Sequence, residues 1–181
     1  MKSFYHHYMF NIKPELLLKY NYKNSNEVPK IKEISIHFVF TNQFAHNKVM
    51  VTRFLAILES IFGLTFKNIH SKISDSQNSL GKGDLIACSL KIRNNFDIFS
   101  FLEKLVFIVL PKIPNFEGFS LKTIDQNSNF HFSISEFSYF PEISNLILKK
   151  SPLQINFRIE ANSELEAIAL LSALKIPIKI S

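Results

Sequence analysis

Ile31-Lys32-Glu33-Ile34-Ser35-Ile36-His37-Phe38 is the stretch that decides the fold class. Ile34, Ile36 and Phe38 fall on every second position, with Glu33, Ser35 and His37 on the alternate ones. Successive side chains of an extended chain point to opposite faces, so a period of two predicts a strand with one buried face and one open face. The same alternation returns twice. Over Asn129–Ser135, Phe130, Phe132 and Ile134 point inward and His131, Ser133 and Ser135 outward; over Leu153–Glu160 the inward positions are Leu153, Ile155, Phe157 and Ile159. Leu85–Arg93 reads as a further strand. One-sided strands of this kind belong to antiparallel sheets with a single covered face.

Between the strands the period changes. Lys48–Phe62 carries Val51, Phe54, Leu55, Leu58, Ile61 and Phe62 at spacings of three and four, with Gly63 behind it. That is an amphipathic helix with a glycine in the usual C-terminal place. Tyr5–Tyr20 reads as a first helix with Pro14 at or near an internal boundary, and Phe96–Leu110 as a largely apolar helix that Pro111 terminates. Ser163–Lys175 is the last helix, with Ser163 and Glu166 spaced as a capping box. Asn21–Pro29 is polar and turn-like, and Ile113–Phe119 is a loop. Ser71–Lys82, with its serines, Asp75, Gln77 and Asn78, reads as a long exposed segment within a protruding loop over residues 71–84. Loops of that length in compact domains tend to carry function. The expected fold is one α+β domain over residues 1–181, a mostly antiparallel sheet with helices packed mainly on one face.

Nineteen phenylalanines among 181 residues exclude a disordered chain, because the apolar surface is ample to offset chain entropy. The basic residues divide into 18 Lys and 3 Arg, beside 23 Ile and 16 Asn. Lys, Ile, Asn and Phe share A/T-rich codons, so part of this composition reflects the genome rather than the function. The net charge of +6 and pI near 9.4 favour a polyanionic partner. A single Cys excludes an internal disulfide framework. The best apolar run, Leu105–Leu110, is closed by Lys104 and Pro111–Lys112 and is far too short for a membrane span, so no membrane partner is expected. The N-terminal region has neither a secretory apolar core nor the Arg-rich character of a transit peptide.

No catalytic pattern survives inspection. Gly81-Lys82-Gly83 is a fragment of a phosphate loop without the rest of its signature, and a plain turn is the better reading. His6 and His7 are adjacent and so lie on different helix faces, with nothing spaced to complete a metal site. Cys88 sits in the apolar run Ile86-Ala87-Cys88 and reads as a core cysteine. Glu164 and Glu166 are explained by helix capping and the helix dipole. The aromatics Phe130, Phe132, Phe137, Tyr139 and Phe140 could stack bases, but phenylalanines at strand period belong more often to a core. Neither an enzyme, a cofactor nor a metal is expected.

The order of several short segments is more specific than any of them alone. Tyr22-Lys23-Asn24, Val28-Pro29-Lys30-Ile31, Ile86-Ala87-Cys88, Phe101-Leu102-Glu103-Lys104-Leu105, Leu110-Pro111-Lys112-Ile113, Asn115-Phe116-Glu117-Gly118 and Phe140-Pro141-Glu142-Ile143 occur in series, followed by the helix Ser163–Leu174 with Pro177 behind it. In this order the chain resembles the universal large-subunit ribosomal protein family L-five, whose members bind 5S rRNA in the central protuberance. The resemblance implies a structural RNA-binding protein that works by scaffolding. It implies rRNA contacts at Asn24, Lys30, Lys32, His37, Lys91 and Arg93, and a tRNA-binding loop with Lys72, Ser74, Ser79 and Lys82 at the elbow of the P-site tRNA. It further implies an intersubunit bridge to a small-subunit head protein through Lys112, Phe140, Pro141 and Glu142, beside neighbouring large-subunit proteins.

The chain departs from the family pattern at His37, where an Asn is usual, at Leu64 in place of a Gln, and at Gln126-Asn127-Ser128 in place of a Gly-Arg-Gly turn. Pro114 and Glu117 stand where arginines are usual, and the tRNA loop keeps only Lys72 and Lys82. Fewer positive charges weaken phosphate contacts and flatten their salt dependence. With the A/T-rich composition, these departures point to a mitochondrial ribosome and an organelle-encoded chain. An alternative from a different class is a protein-interaction scaffold that kept the fold and lost direct 5S rRNA binding.

Overall fold

The computed structural model describes residues 3–20, 22–40, 48–72, 81–141 and 152–179. It contains a mostly antiparallel sheet of five strands: β1 (Lys30–Val39), β2 (Lys67–His70), β3 (Leu85–Ile92), β5 (Phe130–Ile134) and β6 (Leu153–Glu160), in the order β2-β3-β1-β6-β5. Two short strands, β4 (Phe119–Ser120) and β7 (Ile178–Lys179), pair in parallel. The helices are α1 (3–20), α2 (Lys48–Phe62), α3 (95–109) and α4 (Glu164–Ala173). The α+β class expected from the alternation is the class observed. Contacts divide the chain into two units, Met1–Ile34, Ile92–Phe132 and Asn156–Ser181 in one, Ser35–Lys91 and Ser133–Ile155 in the other.

In the first unit, Phe4, Tyr8, Ile12 and Leu16 recur every fourth residue along α1 and are buried. The rings of Phe4, Tyr5 and Tyr8 lie 6.3, 5.3 and 4.8 Å from Phe99 of α3. Both helices widen by one residue before a proline. The Lys13 N–H donates to the Tyr8 carbonyl and the Leu110 N–H to the Leu105 carbonyl, each five residues back, and Pro14 and Pro111 follow directly. A proline ring clashes with the carbonyl four residues before it, and the wider turn carries that carbonyl aside. Pro111 therefore does not stop the chain of helical turns. It enters a 3-10 turn, Leu110–Lys112, and the backbone becomes extended only at Ile113.

The capping box is displaced by one residue. The Glu166 N–H donates to Ser163 Oγ as expected, but the Glu166 carboxylate accepts from the Asn162 N–H and is itself buried. At the other end of α4, Lys175 takes a left-handed φ of 60° while the Lys175 and Ile176 N–H groups donate to the Ser172 and Leu171 carbonyls. That arrangement caps the last carbonyls without a glycine.

The Gln126-Asn127-Ser128 turn has its own substitute for glycine. Asp125 Oδ1 accepts from the Asn127 and Asn129 N–H groups at 2.9 and 2.8 Å, Oδ2 accepts from Asn129 Nδ2, and Ser128 is held at φ 63°. Burial works to raise the Asp125 pKa, but the hydrogen bonds from Asn129 and Asn127 outweigh it and hold the carboxyl below its ordinary value. A lowered folded-state pKa adds stability that is present above the unfolded value of about 3.9 and is lost as pH falls through the folded one. Asp125→Ala is expected to lose about 1–3 kcal/mol at neutral pH. Chemical denaturation at neutral and acidic pH checks this, since the deficit shrinks in acid.

In the second unit, α2 buries Val51, Phe54, Leu58 and Ile61, four of the six positions read from the sequence, while Leu55 and Phe62 are half-buried. Phe54 lies 4.6 Å from Phe38 and 6.0 Å from Phe40, ring centre to ring centre. Cys88 is fully buried, which pushes its thiol up to about 12, as suits an inert core cysteine. Strand β2 runs antiparallel to β3, with a register slip between Ile69 and His70.

Candidate nucleic-acid interface

Burial along β1 alternates until Glu33 and Ile34, which are buried in succession. The slip leaves Lys30 and Lys32 exposed at the start of the strand while Ile31 and Glu33 are enclosed. Glu33, expected on the open face with Ser35 and His37, is thus a buried carboxylate. Such a group is costly without a cationic partner, and Arg93 Nε donates to Glu33 Oε2 at 2.6 Å.

Lys30 and Lys32 are two residues apart on β1, and both reach one carboxylate of β6. Lys30 Nζ lies 3.2 Å from Glu160 Oε2, and Lys32 Nζ pairs with Glu160 Oε1. Each lysine side chain remains about half exposed, at 52% and 53%. The Lys32 and then the Lys30 hydrogen bond hold the Glu160 carboxyl below the usual carboxylate range. Asn24 is exposed nearby in sequence and its Nδ2 donates to Glu27 Oε1. In the second unit, His37 is half-buried and Lys91 exposed.

The sequence singles out Lys30, Lys32 and Arg93 but neither carboxylate that holds them. Glu160 lies 128 residues from Lys32 and Glu33 lies 60 from Arg93. No local spacing signals either pairing.

The loop over residues 71–84, expected to approach tRNA, connects β2 to β3. Its feet are drawn together where the Ser71 N–H donates to the Asp84 carbonyl, the Gly83 N–H to the Ser71 carbonyl and His70 Nδ1 to the Gly83 carbonyl. Lys72 and Lys82 are exposed there, while Ser74 and Ser79 lie outside the described residues. Gly81-Lys82-Gly83 forms a turn, closed by the Asp84 N–H on the Gly81 carbonyl and by the Gly81 N–H on Asp84 Oδ2. Of the residues expected at an intersubunit bridge, Lys112 and Pro141 are exposed, Phe140 is fully buried with its ring 6.3 Å from Phe62, and Glu142 lies outside the described residues. Among the described residues no helix is long and apolar enough to cross a membrane, and no group of three or more His, Cys, Asp or Glu side chains could hold a metal.

Residues 85–178 match the model of the C-terminus of the ribosomal L5 protein family. The chain is 36% identical over 171 residues to the large ribosomal subunit protein uL5 of Wolbachia pipientis subsp. Culex pipiens (strain wPip), covering 94% of this chain and 95% of that protein. The chain belongs to the L5 family of large-subunit ribosomal proteins. It is 32% identical to uL5 of Nitrosomonas eutropha over 99% of both chains, and 30% identical to uL5 of Mycoplasma pneumoniae over 95% of both. These alignments run well beyond the C-terminal family segment. As an L5-family member the chain is a structural, non-enzymatic constituent of the large ribosomal subunit, located at the ribosome, with large-subunit rRNA and ribosomal proteins as its partners.

Proposed function

We propose that the chain docks on ribosomal RNA, 5S rRNA where it is present, through the exposed start of β1. The observation that carries this reading is Lys30 and Lys32 side by side on one strand, both half exposed. Lysines in this arrangement neutralise phosphates without reading sequence. Asn24, His37, Lys91 and Arg93 complete the proposed rRNA set. The loop over residues 71–84 approaches the P-site tRNA elbow, with Lys72 and Lys82 at its feet and Ser74 and Ser79 within it. Lys112, Pro141 and Glu142 contribute to the intersubunit bridge with a small-subunit head protein, while Phe140, fully buried, belongs to that segment through its packing in the core. The A/T-rich composition supports a mitochondrial ribosome, while the relatives named above are bacterial.

The scaffold reading, in which direct 5S rRNA binding is lost, is favoured by one observation: Lys30, Lys32 and Arg93 all carry carboxylate partners. Titration of a labelled 5S rRNA transcript separates the two. The double variant Lys30→Gln/Lys32→Gln is expected to bind about tenfold more weakly at low salt and to lose roughly 1–2 from the slope of log K against log salt. Equal affinity of variant and native chain would favour the scaffold.

A further inference from the structure

Glu160 is the group in contact with the proposed phosphate-binding lysines that no sequence pattern assigns a role. Its two carboxylate oxygens are divided between two ammonium groups, Oε2 with Lys30 Nζ and Oε1 with Lys32 Nζ. The local charge is therefore +1 rather than +2. A phosphate oxygen that approaches either lysine meets an ammonium group already paired with a carboxylate oxygen. The carboxylate is itself 40% exposed, so it can yield to solvent when displaced, and exposed pairs of this kind add little to folding.

We infer that Glu160 is a built-in competitor for phosphate that sets both the affinity and the salt dependence of RNA binding at the start of β1. This rests on the proposed RNA-binding role of Lys30 and Lys32. The competition works by exchange. RNA binding swaps two lysine–carboxylate contacts for lysine–phosphate contacts and leaves Glu160 beside the bound phosphates, where its charge repels them. The residue makes the docking weaker and more readily reversible than the lysines alone would make it. It also separates two kinds of basic position in this chain: Arg93 is held by a buried carboxylate, Glu33, whereas Lys30 and Lys32 are held by an exposed one that a phosphate can replace.

The test is Glu160→Gln, alone and combined with Lys30→Gln/Lys32→Gln, on the full chain with a fluorescein-labelled 5S rRNA transcript between about 50 and 200 mM salt. Glu160→Gln is expected to tighten binding about fivefold at the low-salt end, the factor matching one unit-charge interaction across about 4 Å of water. The slope of log K against log salt is expected to steepen by roughly 0.7–0.9, because the net charge facing the phosphates rises by one unit. On the Lys30→Gln/Lys32→Gln background no ion pair remains to exchange and no lysine holds a phosphate beside Glu160, so the same change should leave affinity within about twofold. If Glu160→Gln binds no more tightly than the native chain while the lysine double variant binds more weakly, the RNA-binding reading stands and the competitor role falls. If the lysine double variant binds as the native chain does, the RNA-binding reading falls and takes the inference with it. Thermal unfolding of each variant confirms that binding is compared between folded chains.

Discussion

Phe157→Ala is expected to cost about 3–5 kcal/mol of unfolding free energy, the range for deleting a fully buried aromatic ring. Phe157 is fully buried on β6, with ring centres 5.5 Å from Phe130 and 5.9 Å from Phe132 in near-parallel stacking. Phe119 then packs edge-on against Phe130 at 5.2 Å and tilted against Phe132 at 4.6 Å. Four rings thus pack together, and removing Phe157 leaves a cavity beside Phe130 and Phe132, whose rings are held by their contacts with each other and with Phe119. For a chain of this size the loss corresponds to roughly 10 °C in Tm. Phe96→Ala is the comparison, because Phe96 is half exposed and should change stability by no more than about 0.5 kcal/mol. Equal effects of the two substitutions in calorimetry would contradict the assignment of the aromatic core.

Gly118→Ala is expected to cost about 2–3 kcal/mol, and for two separable reasons. Gly118 has φ 104°, where any side chain adds strain of about 1 kcal/mol or more. An added Cβ would also lie 3.1 Å from the Pro177 carbonyl oxygen and 3.4 Å from Lys179 Cγ. That carbonyl accepts the Phe119 N–H at 2.8 Å and stands at the edge of the β4–β7 pair, so it cannot retreat without breaking the pair. Gly83 supplies the control. Its φ is 95°, but an added Cβ meets nothing within 4 Å, so Gly83→Ala should cost only the strain. Hydrogen exchange at the Phe119 amide should accelerate in Gly118→Ala and not in Gly83→Ala. Identical behaviour of the two variants would show that the β4–β7 region relaxes freely.

The elements legible in the sequence are those whose burial follows a single period. Phe130, Phe132 and Ile134 alternate, and Val51, Phe54, Leu58 and Ile61 recur at helical spacing, and both groups are buried as their spacing requires. Strand β2 is not legible because all four of its residues, Lys67–His70, are exposed, so no apolar alternation marks it. The two-residue strands β4 and β7 pair across nearly sixty positions in sequence and are too short to show a period. Glu33 shows a different failure. Its place in the alternation is clear, but the slip at Glu33 and Ile34 and the reach of Arg93 turn an expected surface carboxylate into a buried one.

The candidate site divides along the same line. Lys30, Lys32 and Arg93 are legible as basic residues in a family-like series, because charge is a property of single positions. Their partners are not, because Glu160 and Glu33 meet them only once the sheet is assembled. The shifted capping contact of Glu166 belongs with these. The spacing of Ser163 and Glu166 locates the helix start, and only the folded backbone decides that Asn162 supplies the second donor.

As a member of the L5 family, this chain is a structural part of the large ribosomal subunit. Sedimentation of a tagged chain through a sucrose gradient at moderate salt tests it most directly. The chain should travel with the large-subunit peak and remain there after a second gradient. A folded, expressed chain that stays at the top of the gradient, absent from purified large subunits, would contradict it.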